Sequence, residues 1–284
     1  EEGNLVVLGF KDKTFFNEKN IKAWEKFIAE IKKDKAVELT LSIEDLKVLE
    51  KDTLEQKFKL VSFINNDSIS DAYLKEKEDV EDEIDMFIFL KQYDKKDILK
   101  TIKKNDIRSI YLFMDLDAHE PLAERYPECL PEMFELFNNE TENGKLYVSY
   151  PMVEAFQHPL KPSREVYSIL PQPPDLDYKS FININKSTDL SGIKFITKEN
   201  WINSFIKHLK TANFLINENL LSIPNYDSNF LENLNQKEIY KHQLLKFIEP
   251  NNHVLVLSPF ALFLIEYLGE PLFKEWKAIC ENES

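Results

Sequence analysis

Two aspartates, Asp115 and Asp117, close a run of apolar residues that begins at Ser109. Alternate side chains of a strand point to the same face, so we expect both carboxylates on one side at the end of a strand. Like charges held this close repel each other unless a cation or a proton compensates them. Mg²⁺ bound by one or two carboxylates is the obvious compensating ion. An Asp-rich turn after a strand is the alternative interpretation, because Asp is common in turns.

The segments around this pair indicate an α/β fold. Strands are predicted at Leu5–Phe10, Phe58–Ile64, Met86–Leu90, Ser109–Asp117 and Lys145–Tyr150. Segments with helical spacing separate several of them, which predicts a mostly parallel sheet flanked by helices. Ligands bind outside the carboxyl ends of the strands in such sheets, and the two aspartates are predicted at one of these ends.

The character of the chain changes after Pro151. Five prolines between residues 159 and 177 suggest a connection that crosses the surface, and helical spacing dominates from Trp201 onward. Ser258 is predicted to cap a helix that has Pro259 at its first position and ends at Gly269. We therefore predict an α/β domain over residues 1–155 and a mainly helical region over 156–284, either separate or packed on the same core.

Composition restricts the class of protein. The 284 residues carry a net charge of −14, which disfavours a broad grip on nucleic acid but leaves a local basic groove or a protein partner open. The two cysteines, Cys129 and Cys280, lack zinc-ligand spacing, and idle thiols are typical of a reducing compartment. The most apolar window, Val254–Ile265, is shorter than the about 20 residues of a membrane span. A cytoplasmic protein without a membrane partner is expected.

The first half of the chain resembles a Toprim domain. This metal-binding α/β module is shared by topoisomerases, bacterial primases and the overcoming-lysogenization-defect nucleases, and it pairs a strand ending in Glu-Gly with a later strand ending in Asp-x-Asp. Gly9, Asp12, the Phe15-Phe16 pair and the Asp115/Asp117 pair match this pattern over residues 4–155. The resemblance implies a nuclease dependent on Mg²⁺ (or Mn²⁺), with Asp115 and Asp117 binding the metal and Asp12 as a further catalytic carboxylate.

Leu8 departs from the family pattern, because it occupies the place of the expected Glu. Leucine can neither bind a hard cation nor transfer a proton. Glu154, just past a predicted strand end, is a candidate substitute as a metal ligand; a surface residue or a helix N-terminal charge is the alternative. If no carboxylate substitutes, the domain is a degenerate Toprim-like sensor or adaptor that binds a protein or nucleic acid.

Four basic residues are candidates for contacts with nucleic acid: Lys11, Lys13, Lys161 and Arg164. Solvated surface is the alternative for each, since the chain has 36 basic residues. His119 follows the aspartates, but Mg²⁺ sites favour oxygen ligands over imidazole. The segments 143–154 and 256–260 are similar to stretches of uncharacterised bacterial proteins associated with phage defence, and the partner implied is nucleic acid or a defence-system protein.

Overall fold

The computed structural model describes residues 4–10, 58–63, 87–88, 91, 103–104, 107–116, 126–158, 168–172, 175–185, 188–190, 195–218, 226 and 234–282. These residues fall into two compact units. The first comprises the described residues up to Met114 together with residues 126–147. The second comprises Asp115, Leu116 and the described residues from Val148 onward.

The first unit is built on a sheet of five strands in the order β2-β1-β3-β5-β4. Strand β1 (Asn4–Phe10) pairs in parallel with β2 (Phe58–Phe63) and with β3 (Ile107–Asp115). Helix α1 (Tyr126–Leu136) precedes β4 (Asn138–Asn139), which pairs antiparallel with β5 (Gly144–Ser149). The last residues of β3 and β5 belong to the second unit.

Strand β3 has the composition of an interior parallel strand. Every residue from Ser109 to Leu116 is buried, and all but Ser109 and Asp115 are apolar. A near-continuous apolar run is what a strand buried on both faces requires. Ile110 lies next to Gly144 at the start of β5, and Phe113 stacks on Tyr147 further along. The two strands therefore run in the same direction.

The strand prediction for Met86–Leu90 is wrong, because Phe87, Ile88 and Lys91 have helical backbone. Phe87 is buried, while its neighbour Ile88 is 56% exposed. The Lys91 ammonium lies 5.7 Å from the centre of the Phe87 ring, as residues four apart on a helix allow. A short apolar run carries no periodicity that separates a strand from a helical turn.

Among the described residues, the second unit contains five α-helices of eight or more residues, a single α-helical turn at Glu249–Asn251 and a two-stranded sheet. The sheet pairs β6 (Ile169–Pro171) antiparallel with β7 (His253–Leu255). The helices are α2 (Tyr178–Asn185), α3 (Lys198–Asn217), α4 (Gln236–Gln243), α5 (Phe260–Leu268) and α6 (Glu270–Asn282). A π turn (Leu244–Ile248) continues α4, and short 3₁₀ helices span Val153–Gln157 and Thr188–Leu190. Mixed α/β content, as predicted, is confirmed.

The start of α5 differs from the prediction. Pro259 is the N-cap residue, and the Ser258 hydroxyl makes no hydrogen bond and is buried. The Ser258 amide donates instead to the ring of His208, so a distant side chain takes up a donor that precedes the helix. The predicted end at Gly269 is confirmed, with φ at 79°, a conformation that favours glycine. None of the helices in the described ranges is both long and apolar enough to cross a membrane.

Candidate metal centre

Asp115 is the last residue of β3, the position at which ligands meet a parallel sheet. Its side chain is almost entirely buried, with the residue 9% exposed and Oδ2 shielded from solvent. The Leu116 amide donates to the Ser149 carbonyl at 3.0 Å. This bond joins the ends of β3 and β5 directly after the carboxylate. Asp117, its predicted partner, lies outside the residues that the structure describes.

Glu154 lies five residues beyond the end of β5, in the first turn of the 3₁₀ helix Val153–Gln157. It is 8% exposed and its Oε2 is buried, so the surface-residue alternative is wrong. The second alternative, a helix N-terminal charge, fits its position. A buried carboxylate needs hydrogen bonds or an opposite charge to offset the loss of its hydration.

The 3₁₀ helix is held in place from several directions. Ser204 on α3 donates its hydroxyl to the Phe156 carbonyl at 2.6 Å. The side-chain amide of Gln157 donates from Nε2 to the Leu190 carbonyl at 2.9 Å. The Phe156 ring stacks on Trp201 of α3, with 5.0 Å between centroids. Because Phe156 and Gln157 are anchored directly after Glu154, the 3₁₀ helix that carries this carboxylate is held against α3 and Leu190.

A buried phenol lies within electrostatic reach of Glu154. Burial raises the pKa of Tyr178 well above its usual value, and the negative charge of Glu154 adds to this effect. The Tyr178 hydroxyl is 3.1 Å from Nδ1 of His158, and the two rings stack. Tyr178 therefore remains a neutral phenol throughout the physiological pH range.

His208 on α3 is a second buried histidine of this unit. Its Nδ1 accepts a hydrogen bond of 3.1 Å from the Ser258 amide. Burial is the main reason that its pKa lies well below the usual value, and the charges of Lys207 and His158 lower the pKa further. Neither histidine belongs to a sequence motif, such as His-Glu-x-x-His, that would mark a functional residue. The one available signal was the spacing of His208 from Phe205 and Ala212, which places it on the apolar face of a helix.

The structure thus describes two of the predicted site residues, Asp115 and Glu154, and assigns both to the second unit. Their oxygen atoms are the ligand type that Mg²⁺ prefers, so the donors fit the implied ion. Within the described part of the chain, no group of three or more His, Cys, Asp or Glu residues could hold a metal ion. The remaining predicted residues lie outside that part: Asp117, Asp12, Lys11, Lys13, Lys161 and Arg164.

Comparisons with known proteins provide no relative. No protein-family model matches the sequence, and neither a curated protein nor a solved structure matches it significantly. The functional argument therefore depends on the residues and on the fold of this chain.

Proposed function

We propose that this chain is a Toprim-like, metal-dependent phosphodiester-cleaving enzyme, a nuclease of bacterial phage defence. The observation that carries the proposal is that the ends of β3 and β5 are joined by a hydrogen bond and lie next to buried carboxylates. The Leu116–Ser149 hydrogen bond ties β3 to β5. Strand β3 ends in the buried carboxylate Asp115, and the buried carboxylate Glu154 follows β5 by five residues. Buried acids at strand ends of an α/β sheet are typical of a functional site.

The proposed ligands are Asp115, Asp117 and Glu154. Asp117 lies two residues after Asp115 and directly follows the described Leu116. A divalent ion bound there would polarise a phosphate and position the attacking water. The anchored 3₁₀ helix would hold the Glu154 carboxylate in one orientation, and the neutral Tyr178 adds no competing charge.

The proposal is tested by a cleavage assay with the full chain. Single- and double-stranded DNA and RNA are incubated with Mg²⁺ or Mn²⁺, with wild type and with Asp115→Asn. We expect cleavage by wild type and a loss of about 100-fold or more in Asp115→Asn, because a metal ligand contributes several kcal/mol to the transition state. Glu154→Gln is expected to reduce cleavage as well.

Glu249→Gln is the matched control, since Glu249 is exposed and belongs to no proposed site. It should leave cleavage unchanged and report any loss caused by handling or by a change in net charge. Cleavage that survives Asp115→Asn at the wild-type rate would contradict the proposed site.

A second function is favoured by Leu8, which takes the place of the family's Glu. In the sheet Leu8 pairs with Leu112 on β3 and with Val61 on β2, so apolar residues occupy this row across three strands. A chain without that acid would be a non-catalytic module that binds a protein or nucleic acid. Binding of nucleic acid without cleavage in any divalent metal, unchanged in Asp115→Asn, would favour this second function.

A further inference from the structure

His208 joins three segments of the second unit. It lies in the middle of α3 and is 1% exposed. Its Nδ1 accepts from the amide of Ser258, the residue before the N-cap of α5. Its Nε2 is buried, and the Ala155 carbonyl of the 3₁₀ helix lies close to the ring without meeting hydrogen-bond geometry.

The hydrogen bond fixes the protonation state of the ring. An imidazole nitrogen that accepts a hydrogen bond carries no proton, so His208 is neutral with its hydrogen on Nε2. A second proton could only be added at Nδ1, where it would face the Ser258 amide hydrogen. Protonation therefore breaks this bond and leaves a buried amide without its acceptor.

The surroundings of the ring oppose a positive charge. Lys207 on the same helix and His158 after the 3₁₀ helix are the charged or titratable groups that act on it, and both disfavour the imidazolium. The α5 side contributes the Ser258 amide, a donor. In the part of the chain that the structure describes, the partial charge of the Ala155 carbonyl is the only influence that favours an imidazolium at His208.

We propose that His208 is a pH-sensitive clamp: as a neutral ring it ties α3 to the start of α5, and a mildly acidic medium weakens this tie because the ring can take up a second proton only when its bond to Ser258 is broken. Its effect is a decrease in the stability of the folded chain as the pH falls below the value at which an exposed histidine titrates, about 6.5.

Proton linkage determines the direction in which stability changes with pH. The pKa of His208 is lower in the folded than in the unfolded chain, so the unfolded chain binds the extra proton first and stability falls with pH. Between pH 7.5 and 5.5 a histidine that titrates near 6.5 only when unfolded reduces the folding equilibrium constant about tenfold.

The experiment measures urea unfolding of the full chain at pH 7.5 and 5.5 for wild type and for His208→Gln. A glutamine oxygen can accept a hydrogen bond from the Ser258 amide but does not titrate. The variant should therefore lack the tenfold decrease in the folding equilibrium constant between pH 7.5 and 5.5. His253→Gln is the control, because that half-buried histidine at the start of β7 does not bond to Ser258. It should keep this tenfold decrease.

A measurement on wild type keeps the proposal testable if His208→Gln does not fold. Nitrogen-15 NMR of the imidazole rings reports the tautomer directly, and we expect His208 to remain neutral, with its hydrogen on Nε2, in folded protein at pH 5.5. Titration of His208 near pH 6.5 in the folded chain would overturn the proposal. The same pH dependence in wild type and His208→Gln would overturn it as well.

Discussion

The two units hold their described residues together by different means. In the first unit the buried residues are apolar, with Ser109 the sole buried polar residue among those described. In the second unit buried glutamine, serine and histidine side chains bond to the backbone of other elements, as Gln243 does at Leu255. A sheet satisfies its backbone through its own strands, whereas short strands beside helices need side chains to do so.

Helix α4 shows most clearly what this difference means. Gln236 and Gln243 are two helical turns apart on it, and both are buried. Gln236 accepts from the Val148 amide at 3.2 Å, while Gln243 binds both the amide and the carbonyl of Leu255. The helix thus supplies side-chain partners to strand residues. We conclude that specific polar bonds add to apolar packing in the second unit.

The largest loss of stability is expected from removing an aromatic ring from the apolar core of the second unit. Phe205 is fully buried and lies between Trp201 and Trp276, with centroids 5.3 and 6.0 Å away. Phe205→Ala should lower the free energy of unfolding by about 3–5 kcal/mol, because a large buried ring leaves a cavity. Ile184→Ala, at an 81% exposed position of α2, should change it by less than about 0.5 kcal/mol. Denaturant unfolding measures both values, and a polar substitution that costs more than Phe205→Ala would reverse this ranking.

A smaller loss of stability is expected from removing the hydrogen bonds that Gln236 and Gln243 make to strand backbone. Gln243→Leu leaves the Leu255 amide and carbonyl buried without their partners, so we expect a loss of about 2–4 kcal/mol in the free energy of unfolding. Gln236→Leu removes one bond and should cost about half as much. Urea unfolding and amide exchange at Leu255 and Val148 measure the effect.

Lys241→Gln on the same helix is the control for the glutamine variants. Its side chain is 58% exposed and forms a surface ion pair with Glu238, so the change should cost less than about 1 kcal/mol. Gln243→Leu at the stability of wild type would show that the polar ties do not contribute, and the contrast between the two units would fail.

An effect smaller than that of Gln243→Leu is expected in the first unit. Gly144 has φ at +102°, and a Cβ added there would lie 3.1 Å from Cγ2 of Ile110. Gly144→Ala should cost roughly 1–3 kcal/mol, because it strains the backbone and crowds β3. Gly269→Ala shares the backbone strain of a positive φ, but its Cβ would meet its nearest atom, on Pro271, at 3.8 Å, so it lacks the cost of crowding. Thermal unfolding compares the pair, and equal costs would show that the contact with Ile110 is unimportant.

Much of the sheet was predictable because strand signals are local. The apolar runs at Leu5, Phe58, Ser109 and Lys145 each mark an observed strand to within two residues at either end. Gly269 was predictable for the same reason, since a helix end depends on its own backbone conformation. The helical backbone at Phe87 and Ile88 could not be predicted, because a run of five apolar residues fits a helical turn as well as a strand.

The hydrogen bonds from buried side chains to the backbone could not be predicted, since the two partners are far apart in sequence. Gln236 and Val148 are separated by 88 residues, and Ser258 and His208 by 50. No local pattern encodes such a pair, and Ser258 even carries the local signature of an N-cap that the folded chain does not use. The candidate site was predictable at Asp115 from its strand, while the burial of Glu154 depends on anchors such as Ser204.

The metal centre is the central claim, and calorimetric titration of Mn²⁺ into the full chain tests it most directly. We predict that wild type binds the ion, that Asp115→Asn and Glu154→Gln each weaken this binding at least about tenfold, and that Glu249→Gln leaves it unchanged. Binding of equal strength in wild type and Asp115→Asn, or no binding in wild type, would contradict the metal centre and leave the non-catalytic module as the better account.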